Sequence, residues 1–263
     1  MIGISTSCFY PMNTEDALLT VAKQGVKVTE VFLNSHSECT GELLEQLVTI
    51  KNDYDMQINS IHPYFTFAEK QLLFSQYERR IEDGLCFYRE LFDTCDALDC
   101  RILVLHGDFN PFRISDEEYL RRFEILVKEA HDRGIIVSQE NVVNYRSASV
   151  EFLKKEREYL GDLFKMTIDI KQAVRSSVDP MEIAREFGDC AVNVHISDHN
   201  TESDCIPPLE GNFDFTKFFK ILDNCGYNGN FIIELYRSGF KNADHLINSY
   251  KNITKFYKNG CKK

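Results

Sequence analysis

Apolar and polar positions follow two rhythms along this chain. Short, nearly continuous apolar runs alternate with longer stretches in which apolar residues recur every three or four positions. The runs are Met1–Ser5, Val26–Leu33, Ile58–Ile61, Arg101–Leu105, Ile135–Glu140, Phe164–Asp169, Ala191–His195 and Asn230–Glu234. Such a run reads as a strand buried on both faces, which a parallel sheet covered by helices supplies. Between the runs, Thr14 with Glu15 and Asp16 opens a helix carrying Ala17, Leu18, Val21 and Ala22, and Gly25 closes it. Gly41–Tyr54 places Leu43, Leu44, Leu47 and Ile50 on one face, and Glu69–Ala97 is either one long amphipathic helix or two joined pieces. Ser115 with Asp116, Glu117 and Glu118 caps a helix that runs to Gly134. Further helices are predicted over Val150–Leu160, Pro180–Phe187, Phe215–Cys225 and Ala243–Tyr257, followed by a frayed polar tail, Lys258–Lys263.

Strand and helix therefore alternate through eight units, with no Pro/Gly/Ser-rich linker between them. This order specifies a parallel sheet with right-handed crossovers. Eight units predict an α/β fold, a closed (β/α)8 TIM barrel spanning residues 1–263 as one domain. The competitor is an open doubly wound sheet. That fold places a glycine-rich phosphate turn after its first strand, where this chain has Ser5-Thr6-Ser7-Cys8.

The formal net charge of −11 argues against a nucleic-acid or anionic-membrane partner, because both demand a basic face. No apolar run approaches the ~20 residues that a membrane span needs. The nine cysteines are odd in number and scattered, without a Cys-x-x-Cys pair; Cys95 and Cys100 are the nearest two. Together with a start that shows no leader, this points to free thiols in a cytoplasmic protein and away from a cysteine zinc knuckle. The oligomeric state stays open, and a homo-oligomer is compatible with the sequence.

The last four apolar runs share a feature. Each ends in one metal-competent side chain: Glu140, Asp169, His195 and Glu234. A parallel barrel gathers the C-terminal ends of its strands on one rim, so these four are expected to converge. Three carboxylates and one imidazole suit a divalent ion such as Mn²⁺, Zn²⁺, Co²⁺ or Mg²⁺, with positions left open for substrate oxygens.

Several pieces of sequence carry a likeness: Gln139-Glu140-Asn141, Ile168-Asp169, Val194-His195-Ile196-Ser197-Asp198, Pro208-Leu209-Glu210-Gly211-Asn212-Phe213-Asp214-Phe215, and Gly226-Tyr227-Asn228-Gly229 leading to Ile233-Glu234-Leu235. In these the chain resembles the xylose isomerase-like barrels, specifically the sugar phosphate isomerase/epimerase group. The likeness spans nearly the whole chain and is densest from Gln139 to Arg237. It implies that Glu140, Asp169, His195 and Glu234 hold one divalent metal ion and that Glu140 and Glu234 are also the catalytic acid/base pair. The substrate implied is a small carbohydrate: a sugar, sugar phosphate or keto-polyol. Metal coordination would stabilise an enediolate while a carboxylate takes and returns the proton beside the carbonyl. One base on each face gives epimerisation, and return to the neighbouring carbon gives isomerisation. The sequence does not choose between them, and a keto-inositol dehydratase-type lyase would use the same site.

One position departs from the pattern. The family often shows a histidine three residues after the strand-six aspartate, and this chain has Gln172 there. Barrels of the related endonuclease IV type use that histidine in a three-metal site that cuts DNA at abasic positions. His62 and His106 match two further ligands of that site, but Gln172 and the net charge weigh against the nuclease. His62 and His106 are therefore assigned to substrate binding. Lys171, Asp198, Glu210 and Arg237 are weaker substrate-site candidates. Lys171 either neutralises an anionic intermediate or points at solvent. Asp198 either supports a metal ligand or caps a loop. Glu210 either covers the substrate or is solvated. Arg237 either grips a phosphate or carboxylate or makes a surface salt bridge. Glu30, in the middle of its strand, either reaches the lumen or pairs with a neighbour.

Overall fold

Each strand pairs in parallel with the next in sequence, and the last returns to the first, closing the barrel. The strands are β1 (Ile2–Ser5), β2 (Val28–Leu33), β3 (Gln57–Pro63), β4 (Ile102–Leu105), β5 (Ile136–Glu140), β6 (Met166–Asp169), β7 (Ala191–Ile196) and β8 (Asn230–Ile233). The computed structural model describes residues 1–64, 69–109 and 114–260. Around the barrel run α1 (Thr14–Lys23), α2 (Gly41–Asp53), α3 (Arg80–Ala97), α4 (Asp116–Asp132), α5 (Val150–Leu160), α6 (Ile170–Arg175), α7 (Pro180–Phe187), α8 (Phe215–Asn224) and α9 (Ala243–Gly260). The (β/α)8 barrel read from the alternation of patterns is the fold observed.

Local chemistry explains the helix starts. Ser115 accepts from the Glu118 amide, Ser149 from Phe152 and Asp214 from Lys217, so orphan N–H groups of the first turn are satisfied. Two details differ from the pattern-based reading. The stretch from Glu69 to Ala97 is broken into a wide π-type turn, Glu69–Leu73, and α3. A short helix, α6, follows Asp169 directly, because the Asp169 carboxylate caps it through the Gln172 amide at 2.8 Å. The last helix continues to Gly260, and the rest of the predicted frayed tail lies outside the described residues. The cysteines among the described residues are free thiols. No helix among those residues is long and apolar enough to cross a membrane.

Phe, Leu, Ile and Val side chains pack between helices and strands, including the fully buried Phe74, Phe123, Phe187 and Phe218. The inside of the barrel is different. Buried polar groups fill much of it: Glu30, Asn59, Ser60, Ser138, Thr167 and Asn193. They satisfy one another, as in the 2.7 Å contact between the Ser138 and Thr167 hydroxyls and the 2.9 Å bond from Asn59 Nδ2 to Asn193 Oδ1. The usual filling of such barrels is branched aliphatic. A polar lumen here supports the strand ends above it.

One buried acid lies outside this network. Glu156, on α5, is fully buried, and neither carboxylate oxygen has a hydrogen-bond partner among the described residues. Burial pushes its carboxyl well above the ordinary glutamate range. The folded protein thus retains a proton that the unfolded chain releases near pH 4. Its favourable contribution is complete below that pH and declines as pH rises toward the folded-state value. Replacing Glu156 by Met removes two unsatisfied oxygens. It is expected to stabilise the protein at pH 8 by about 1–3 kcal/mol and to flatten the pH dependence of Tm, both measurable by scanning calorimetry between pH 4 and 9.

Candidate metal centre

The four predicted ligands reach one point because each stands where a strand ends. Glu140 closes β5, flanked by two side chains that clamp the neighbouring strands. Gln139 donates to the carbonyls of Leu105 and His106 at 3.2 and 3.0 Å, tying β5 to the end of β4. Asn141 exchanges two bonds with the Asp169 backbone, at 2.9 and 2.8 Å, tying β5 to the end of β6. The Gln-Glu-Asn sequence thus sets one carboxylate between two clasps. Asp169 lies directly across the ladder from His195. Glu234 follows β8, its amide bonded to the Ile196 carbonyl at 3.3 Å.

One atom from each of Glu140, Asp169, His195 and Glu234 lies within 4.8 Å of the others, and all four residues are buried. His195 Nδ1 stands 3.2 Å from Glu140 Oε1, 3.4 Å from Glu234 Oε2 and 3.5 Å from Asp169 Oδ2. Lys171 points inward, with its Nζ 2.7 Å from Glu234 Oε2 and 3.3 Å from Asp169 Oδ2. Of its two sequence readings, the solvent-facing one is excluded. A second trio, His62, His106 and Glu140, adjoins the first. His106 Nε2 is 2.8 Å and His62 Nε2 3.4 Å from Glu140 Oε2.

These contacts decide the charge states. Burial alone would raise Glu140, but the imidazoles of His106, His195 and His62 outweigh it and hold the carboxyl well below the usual range. Burial also works against Glu234, and Lys171 and His195 overcome it in the same way. Asp169 behaves differently: burial, with Glu140 and Glu234 nearby, pushes it up to about 6 despite Lys171. Burial would lower His195, but the surrounding carboxylates raise it well above the ordinary imidazole value. His62, raised by Glu140 and Glu30 against its burial, reaches about 9. Among the three carboxylates, Asp169 is thus the one whose burial is least compensated by its neighbours. Among the described residues, the buried Oδ2 of Asp169 has no hydrogen-bond partner, although the Lys171 ammonium lies 3.3 Å away. A hard or borderline divalent ion fits this set of three oxygens and one nitrogen.

Above the cluster opens a cavity of about 470 Å³ lined by Glu140, Glu234, His62, His106, Lys171 and Arg237, among others. Asp169 and His195 are not part of its wall; they lie underneath. Arg237 stands at this wall with one guanidinium nitrogen 2.9 Å from the Phe240 carbonyl. Asp198 is directed elsewhere: its carboxylate accepts from the amides of His199, Gly211 and Phe213 at 2.7, 2.9 and 3.0 Å, folding the loop after β7. A Cβ at Gly211 would meet the His199 carbonyl at 2.3 Å, so that turn requires glycine. Glu210 bonds His245 Nε2 at 2.7 Å and does not line the cavity.

Sequence reasoning overlooked the walls. Tyr10, Tyr64 and Tyr236 rim the cavity, each in the loop after a strand. The strand-end rule that picked out the candidate ligands would have picked out Tyr64 and Tyr236 as well. Glu30 was noticed for its mid-strand position, but not its partner: it bonds His195 Nε2 at 2.9 Å.

A family model described as xylose isomerase-like TIM barrel matches residues 18–255. An uncharacterized protein of Methanocaldococcus jannaschii is 27% identical over 269 residues, which cover 96% of this chain and 98% of that one. A solved D-tagatose 3-epimerase-like protein superposes with a TM-score of 0.79 at 20% identity, over 98% of this chain and 97% of that one. D-allulose 3-epimerase from Methylomonas sp. superposes with a TM-score of 0.79 at 15% identity, over 97% of this chain and 96% of that one. At these identities the structural likeness shows the fold.

Ion binding should be visible without any substrate. Adding Mn²⁺ to chelator-treated protein at a hundredfold excess over Kd is expected to raise Tm on the order of 5–10 °C, and Asp169→Asn should abolish most of that shift. Protons compete with the ion for His195 Nδ1 and Asp169, so affinity rises with pH. Calorimetric Kd values should weaken more steeply once pH falls through about 6, where Asp169 takes up its proton.

Proposed function

The chain belongs to the xylose isomerase-like TIM-barrel family, and on that premise we propose that it is a divalent-metal-dependent isomerase or epimerase of a small sugar, sugar phosphate or keto-polyol. One observation carries the reading. Of the four clustered ligand candidates, only Glu140 and Glu234 line the open cavity, while Asp169 and His195 lie below it. On this reading two of the four would serve the ion alone, and the other two would also face a molecule in the cavity.

A divalent ion held by Glu140, Asp169, His195 and Glu234 would polarise a substrate carbonyl and so acidify the neighbouring C–H. The chain's own groups do the rest. Glu140 and Glu234 are held ionised by the imidazoles and by Lys171, so each is able to accept a proton. They arise from strands three places apart around the barrel and approach the cavity from different directions. If the accepting glutamate returns the proton to the adjacent carbon, aldose and ketose interchange. If the other glutamate first takes up a proton from solvent and delivers it to the opposite face, the carbon is inverted, and the accepting glutamate afterwards releases its own proton to solvent. Lys171 remains an ammonium, since Asp169 and Glu234 outweigh its burial, and it offers positive charge to developing oxyanions. His62 and His106 offer hydrogen bonds to hydroxyls at the wall. The likeness to proteins named as ketose 3-epimerases supports the same substrate class.

Incubation of Mn²⁺-loaded protein with a panel of ketoses, their phosphates and keto-inositols in D₂O should exchange the hydrogen beside the carbonyl, followed by proton NMR. Glu140→Gln and Glu234→Gln are each expected to slow exchange by about 10²-fold or more. Growth of an enone ultraviolet band would mark the lyase outcome instead, and no exchange across the panel would remove the isomerase reading.

A further inference from the structure

Glu30 is a buried carboxylate that the proposed reaction does not use. It lies in the middle of β2 with no exposed surface, and it does not line the cavity. A direct contact with substrate is therefore out of reach, and any influence it has passes through what it touches. Its Oε2 accepts from Ser60 Oγ at 2.7 Å and Asn193 Nδ2 at 3.1 Å and lies 2.9 Å from His195 Nε2. Its Oε1 accepts no hydrogen bond among the described residues.

His195 stands between two acidic regions. Its Nε2 faces Glu30, and its Nδ1 faces the three carboxylates of the candidate metal centre. A neutral imidazole carries one ring proton, so only one nitrogen can offer a lone pair to an ion. We propose that Glu30 is a positioning residue of the metal centre: by keeping the His195 proton on Nε2, it turns the lone pair of Nδ1 toward the cation. An ionised carboxylate only accepts hydrogen bonds, so the ring nitrogen against it must be the protonated one.

Asn193 Nδ2 also lies 3.0 Å from His195 Nε2. Its two hydrogens have better acceptors in Glu30 Oε2 and in Ser60 Oγ, which is 3.3 Å away. The opposite assignment, with Asn193 donating into Nε2, would set a bare ring lone pair 2.9 Å from a carboxylate oxygen.

The sheet is deformed beside two of the three residues that hold Glu30, Ser60 and Asn193. Thr29 pairs with Ile58 but Glu30 pairs with Ser60, so β3 carries one extra residue, Asn59. Met166 pairs with Ala191 but Thr167 pairs with Asn193, so β7 carries one extra residue, Val192. Bulges of this kind re-aim side chains next to functional sites. Here they coincide with the placement of Ser60 and Asn193 against Glu30, and Asn59 in turn donates to Asn193 at 2.9 Å. With three donors on one oxygen, the carboxylate has a single orientation.

The inference rests on the metal reading of the site, and its test separates the two. Two-bond ¹H–¹⁵N NMR of the Zn²⁺-loaded wild-type protein should show His195 protonated at Nε2 and coordinated through Nδ1. The reverse pattern overturns the proposal. Calorimetry with Mn²⁺ should show Glu30→Met binding roughly 10–100-fold more weakly, and Glu30→Gln, which keeps an acceptor, recovering most of that loss. Wild-type affinity in folded Glu30→Met would also overturn it. If Glu30→Met does not fold, the wild-type NMR pattern decides. If the wild-type protein takes up neither ion, the metal reading fails and this inference fails with it.

Discussion

Three ionisable carboxylates meet around one imidazole at the bottom of a cavity, where burial leaves little water to screen them. Like charges at such separations repel strongly in a medium less polar than water, and each also loses hydration on burial. The chain meets this with basic side chains brought from several elements. Lys171 lies against Glu234 and Asp169, and the imidazoles of His62, His106 and His195 surround Glu140. Asp169 remains the least compensated member, as its upward shift to about 6 indicates. A divalent ion held there, as proposed, would add two positive charges where the strand ends already aim their oxygens.

Much of the barrel serves to hold that arrangement still. Gln139 and Asn141 clamp the ends of β4 and β6 on either side of Glu140, and Asp169 is held both by Asn141 and by the first turn of α6. Asp198 ties three amides of the loop after β7, bracing the chain that follows His195. The polar lumen continues the same logic downward, through Glu30, Ser60, Asn193 and Asn59. A ligand set placed by backbone clasps and a bonded layer beneath it pays little reorganisation cost when an ion or substrate arrives.

Two kinds of information separate cleanly along the chain. The alternation of apolar runs with three-to-four periodicity was enough for eight strands, their order and closure into a barrel, because both patterns are local consequences of burial. Glu140, Asp169, His195 and Glu234 could be picked out for a related reason: parallel strands all end on one rim, so a polar residue at the end of a run is placed by topology alone. The break between Glu69 and Ala97 was not decided, because the apolar spacing continues through the turn that interrupts the helix.

What each polar side chain does with its position was left to the tertiary structure. Lys171 turns toward two carboxylates supplied by β6 and the end of β8, Asp198 turns to loop amides up to fifteen residues away, and Glu210 turns to His245 on the last helix. Glu30 and His195 are 165 positions apart in the chain, and they meet only across the closed barrel. Periodicity reports which face of a strand a residue occupies, whereas the choice of partner depends on register, and at β3 and β7 register is changed by a single extra residue. The fold and the set of candidate ligands were therefore written in local sequence, while charge balance and the support of those side chains were settled by contacts between distant strands.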